Sequence, residues 1–118
     1  MHRRKWSKQE EVSWRSLCAW FRRGLLLSKP LAIRRCRMPR DEGGERLRGD
    51  CEDRGDCFKI RINHARPWSD AVEDLEHELS HAVAMDRTPA HRNPHGRSFW
   101  LAHAQVHRLR CRWEEQEC

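Results

Sequence analysis

At 118 residues the chain is long enough for one domain around one core, spanning 1–118, and too short for two. Hydrophobic residues make up only 37% of it and charged residues 36%, so the core must draw on the six tryptophans and three phenylalanines. No stretch approaches the roughly 20 apolar residues of a membrane helix, and the basic start Met1–Lys5 meets Glu10 and Glu11 instead of an apolar signal segment, so a cytoplasmic protein with reduced thiols and no membrane partner is expected.

Residues 1–6 read as a basic tail. Ser7-Lys8-Gln9-Glu10 has the form of a capping box that opens a helix. Trp14, Leu17, Cys18, Phe21 and Leu25 recur at helical spacing and form its buried stripe, with Gly24 near its end. Leu31 to Met38 reads as a strand, and Pro39 to Gly44 as a loop. Leu47 to Asp53 is a weak strand. Arg54-Gly55-Asp56 turns the chain into Cys57–Asn63, where Phe58, Ile60 and Ile62 alternate with polar residues. Trp68 to Asp86 reads as a second helix with Ser69 as its N-cap. A last helix runs from about Pro94 or Gly96 to Trp113, with Phe99, Ala102, Val106, Leu109 and Trp113 on its core face. The order helix, strands, helix, helix predicts an α+β domain with a small antiparallel sheet of about three strands.

The second helix carries His77-Glu78-Leu79-Ser80-His81. Histidines four apart share a helix face, so both can ligate one metal ion, and the adjacent carboxylate can act on water at that metal. Neutral imidazoles suit zinc, and a catalytic zinc takes three protein ligands and keeps one position open. Val72, Leu75, Leu79, Ala82 and Val83 form an apolar face; Asp70, Asp74, His77 and His81 fall on roughly the opposite one. Asp70 or Asp74 is placed to orient a ligand imidazole, or to act as a helix-start carboxylate.

The third ligand must come from elsewhere. The extended HExxHxxGxxH pattern fails at Ala84 and Arg87. His95 follows Asn93-Pro94, a helix-start signature that would hold it in a first helical turn. His91, in an irregular stretch, is the runner-up.

HELSHA (His77 to Ala82) followed by HGRSFW (His95 to Trp100) resembles the SprT-like zinc metalloprotease domain. That family includes Spartan-type proteases, which degrade proteins crosslinked to DNA, and small stand-alone bacterial and phage members. The resemblance spans Trp68 to His107. It implies a zincin-like fold, one catalytic Zn2+ held by His77, His81 and His95, and Glu78 as general base. Phe99 matches an aromatic position better suited to packing than to chemistry. Longer relatives carry a zinc ribbon, for which this chain offers only Cys111 and Cys118 near its end, so no ribbon is expected.

The mechanism so implied is peptide hydrolysis of a protein substrate. Glu78 takes the proton of the attacking water and passes it to the leaving amine. A transition-state donor often assists. The chain has no tyrosine, which leaves His91 and Arg97 as candidates.

The net charge of +6 is uneven. Residues 1–48 carry 14 basic and 5 acidic side chains, residues 49–91 carry 5 and 10, and residues 92–118 carry 5 and 3. Trp6, Trp14 and Trp20 interleave with the basic excess, a composition able to track phosphates and stack on bases. DNA is therefore a candidate partner through the N-terminal part, and would make the protein nucleoid-associated; the same tryptophans also suit an inward-packing helix. Cys51 and Cys57 are candidates to face each other across a hairpin or to bind metal, and His103, His107 and Cys111 for a second metal site; a plain helix flank is the simpler reading of the latter. Two other functions fit the motif: a repressor-cleaving regulatory metalloprotease, and a non-catalytic zinc-containing DNA-binding protein. The oligomeric state has no signature in the sequence.

Overall fold

A computed structural model describes residues 5–88 and 95–117. The elements are α1 (Lys8–Gly24), β1 (Leu31–Cys36), β2 (Gly49–Asp53), β3 (Phe58–Asn63), α2 (Trp68–Arg87) and α3 (Arg97–Glu117). The fold is α+β, three helices and a three-stranded sheet. Among the described residues, no helix is long and apolar enough to cross a membrane.

Helix α1 starts where its capping box predicts. The Ser7 hydroxyl accepts from the Glu10 N–H at 3.0 Å, and the Glu10 carboxylate accepts from the Ser7 N–H at 2.9 Å. Its stripe Trp14, Leu17, Cys18 and Phe21 is buried, as is Leu25 at its C-cap. Helix α2 differs: its N-cap is Pro67, with no side-chain cap bond, and not Ser69. Proline presets the backbone angle that leads into a helix and has no N–H to satisfy.

The sheet is mixed, which corrects the antiparallel expectation. Its order is β1-β3-β2, with β1 parallel to β3 and β2 antiparallel to it. The physical reason is burial. Phe58, Ile60 and Ile62 make β3 the most apolar strand, and it takes the centre; the polar strand β2 goes to an edge. The long stretch 37–48 carries the chain from one edge to the other. On the opposite face, register sets Arg61 beside Asp50, and the two form an ion pair.

Helix α2 packs on β2, β3 and α3, and α3 packs on α1. Being enclosed from several sides, α2 buries Asp74, Glu76, Glu78 and Ser80 as well as its apolar stripe. The expectation of one packed and one open face therefore gives way to a central helix. Phe99, Ala102, Val106 and Trp113 of α3 are buried, and Leu109 packs against the core while partly exposed.

Five of the six tryptophans serve packing, and Trp100 is exposed. Trp6 and Trp14 are buried and meet Trp68 edge-on, with ring centroids 5.4 to 6.3 Å apart. Trp6 also donates its indole N–H to the Arg66 carbonyl at 2.9 Å, and Arg35 lies over its ring at 3.3 Å. Trp6 therefore belongs to the core and not to a basic tail. Trp20 donates to the Leu109 carbonyl at 2.9 Å, tying α1 to α3.

Candidate metal centre

The i,i+4 spacing on α2 brings His77 and His81 to one side of the helix, their Nε2 atoms 3.3 Å apart. His95 lies two residues before α3 begins at Arg97, and not in a first helical turn as expected, and it places its Nε2 3.3 Å from that of His77. The three ligand atoms all lie within 4.8 Å of one another. This spacing fits a zinc ion: with Zn–N bonds of about 2.05 Å, the edge of a tetrahedron is about 3.3 Å. The donor set fits too. Burial, then the neighbouring imidazoles of His95 and His103, lower the pKa of His77 below its ordinary 6.5 and keep its lone pair available, although Asp74 pulls the other way. Among the described residues the group has three members, the number of protein ligands that a catalytic zinc takes.

Phe99 is the platform under the three rings. It is fully buried, with its centroid 5.0 Å from His77, 4.6 Å from His81 and 5.1 Å from His95. One aromatic side chain from α3 thus fixes imidazoles from two separate segments. Its place in the sequence, four residues after His95, marks it as core; its contact with every ligand becomes visible only in three dimensions.

Glu78 is buried beside the edge strand. Loss of hydration, then the charges of Asp50 and Asp74, push its carboxyl up to about 7. A cation held by the adjacent histidines acts in the opposite sense. Gly49 opens β2 against this carboxylate. A Cβ at Gly49 would lie 2.8 Å from the Arg61 carbonyl oxygen and 3.2 Å from Glu78 Cγ, so only glycine lets the strand come so close. Sequence reasoning passed over Gly49, although a glycine within a weak strand is the signal for such an approach.

Asp74 is buried and accepts from Arg66 Nε at 2.9 Å, which gives this carboxylate a structural partner one helical turn before His77. Asp70 is half-buried. Arg97 opens α3 with an exposed side chain, while His91 and the Asn93-Pro94 helix start lie outside the described residues.

The other candidate groupings separate. Cys51 stands opposite Ile60, Cys57 precedes β3, and both are free thiols, so no disulfide joins them, and among the described residues neither belongs to a metal-holding group of three. The rings of His103 and His107 stack 6.2 Å apart at an interplanar angle of 6°, and no metal-holding group of three includes them among the described residues. His107 turns instead toward Glu76, a buried carboxylate of α2 that sequence reasoning missed and that also pairs with Arg110. No protein-family model, curated protein or solved structure matches the chain.

Proposed function

We propose that this chain is a zinc-dependent metallopeptidase of the SprT-like type. The observation that carries the reading is the convergence of three imidazole nitrogens, from His77, His81 and His95, with the buried carboxylate of Glu78 following His77 in the chain. A zinc ion held there supplies a Lewis acid that lowers the pKa of water toward about 7 and polarises a carbonyl. Glu78 takes the proton of the attacking water on its carboxylate and delivers it to the leaving amine. Its enclosure between α2 and β2 favours the protonated form needed for that second transfer. Arg97 remains the described candidate for stabilising the oxyanion. A purely structural zinc has no use for a carboxylate at Glu78, so the pairing of this residue with the histidine group supports catalysis.

The substrate is a protein chain bound in extended form. Strand β2 is an edge strand among the described residues, packs on α2 and approaches Glu78 at Gly49, so a substrate strand added there would run along the helix that carries His77 and His81. Proteins associated with DNA are the preferred substrates. Support comes from the exposed arginines of the basic N-terminal part, Arg15, Arg22, Arg23 and Arg34. Its tryptophans take no part, since they pack inward or partly so.

The test compares wild type with Glu78→Gln. Both are assayed for zinc, then incubated with a basic DNA-binding protein with and without single-stranded DNA. One zinc in each and cleavage by the wild type alone is the expected result, with a rate loss in the variant of about 10³-fold. Zinc without cleavage under any condition would sink the SprT-like reading and favour a repressor-specific or non-catalytic protein. Folded protein that takes up no zinc would overturn the metal centre itself.

A further inference from the structure

Outside the metal centre, three side chains form a second chemical arrangement along the seam between α2 and α3. Cys111 Sγ lies 3.6 Å from His107 Nε2, within hydrogen-bond reach for sulfur. The other nitrogen of the same ring, Nδ1, lies 3.2 Å from a carboxylate oxygen of Glu76. Glu76 is buried, with only 5% of its side chain exposed, and Arg110 Nε holds it in place. With Nδ1–H donated to Glu76, the lone pair on Nε2 points at the thiol. That is the order nucleophile, base, orienting carboxylate.

The arrangement is accessible. The His107 side chain is 48% exposed and Cys111 is half-buried. Among the described cysteines, Cys111 is the one shown with a histidine nitrogen in reach of its sulfur, while Cys57 bonds instead to the Asp56 carboxylate, which holds its proton on. Burial pushes Cys18 up to about 11 and Cys51 up to about 12, and Cys57 is also raised, so these thiols stay protonated.

We propose that Cys111, with His107 as its base and Glu76 as positioning residue, is a thiol-exchange site for low-molecular-weight disulfides. His107 takes the Cys111 proton, and the thiolate attacks one sulfur of the disulfide. The new bond joins Cys111 to that sulfur, the old S–S bond breaks, and the departing thiolate receives the proton from His107. The products are one mixed disulfide on Cys111 and one free small thiol, with no external oxidant or reductant needed. The inference is independent of the peptidase reading, because none of its three groups is a zinc ligand.

The experiment treats the full zinc-loaded chain with glutathione disulfide and follows each cysteine by peptide mass spectrometry. Cys111 is expected to carry the first adduct, at least about tenfold ahead of Cys36 in the same molecule. His107→Gln should slow Cys111 by about tenfold or more and leave Cys36 unchanged. Glu76→Gln separates positioning from mere support. Loosened packing would speed both cysteines, whereas loss of orientation slows Cys111 alone. Cys111→Ser, on a half-buried flank, should remove the adduct without changing the thermal melt. Equal rates at Cys111 and Cys36, or a His107→Gln variant as fast as wild type, would overturn the proposal. So would a second zinc that binds wild type, fails to bind His107→Gln and blocks the adduct, since the pair would then be a metal site.

Discussion

Two histidine pairs in this molecule share the same i,i+4 spacing and end in opposite arrangements. His77 and His81 on α2 meet nearly edge-on, their rings at 79° and their Nε2 atoms 3.3 Å apart. His103 and His107 on α3 lie parallel at 6.2 Å. Spacing supplies proximity alone. Convergence on α2 depends on His95 arriving from a different segment and on Phe99 filling the space beneath all three rings. On α3 the nearest strong partner of His107 is Glu76, and it draws that ring away from a shared point with His103. A pair of histidines on a helix gains the geometry to hold a metal ion when a third group and a packed floor are supplied from outside the helix.

The sharpest way to break this contrast is zinc content. His77→Ala, His81→Ala and His95→Ala should each reduce bound zinc from one per chain to none after dialysis, because two imidazoles hold the ion far more weakly than three. His103→Ala and His107→Ala should retain it. Elemental analysis reads both sets, and loss of zinc in the second set would erase the distinction.

The carboxylates flanking the motif sharpen it further. Arg110→Met leaves Glu76 buried without its guanidinium and should cost about 3 kcal/mol in a denaturant titration. Arg61→Met breaks a pair whose side chains are each about one-third exposed, Arg61 with Asp50, and should cost less than about 1 kcal/mol. Equal effects would mean that burial does not decide the worth of these pairs.

Gly49→Val tests the close approach of β2 to Glu78. The added side chain must displace the Arg61 carbonyl or the Glu78 stem, so a loss of about 1–3 kcal/mol is expected and, on the proposed function, a lower peptidase rate. Gly44, whose φ of 85° and open surroundings demand glycine for backbone reasons alone, serves as the comparison: Gly44→Ala should lower stability by about 1 kcal/mol and leave zinc and activity intact.

Acid gives the smallest effect. His77 has a folded pKa below 6.5, so the unfolded chain binds the extra proton. Its contribution to stability is therefore present above pH 6.5 and is lost as the pH falls from there through the lower folded value. Zinc binding adds to the same trend, because bound imidazoles must be unprotonated. A metal-free melt that falls on acidification, with a shallower fall in His77→Gln, is the expected reading.

Much of this was legible in the chain itself. The capping box at Ser7, the stripe from Trp14 to Phe21 and the alternation through Phe58, Ile60 and Ile62 are local patterns, and each element formed where its pattern lies. The positions of His77, Glu78 and His81 were legible for the same reason, since a helix converts spacing directly into facing. The choice of His95 rested on a helix start and a family resemblance, and its ring does meet the other two. The strand order was not legible. Parallel or antiparallel pairing depends on which strand is most apolar and therefore central, a comparison among segments far apart in the chain. The burial of Glu76, the Phe99 floor and the Gly49 approach were also decided by tertiary structure. Each arises where α2 is enclosed by β2, β3 and α3 together, and no single segment encodes an enclosure made by three others.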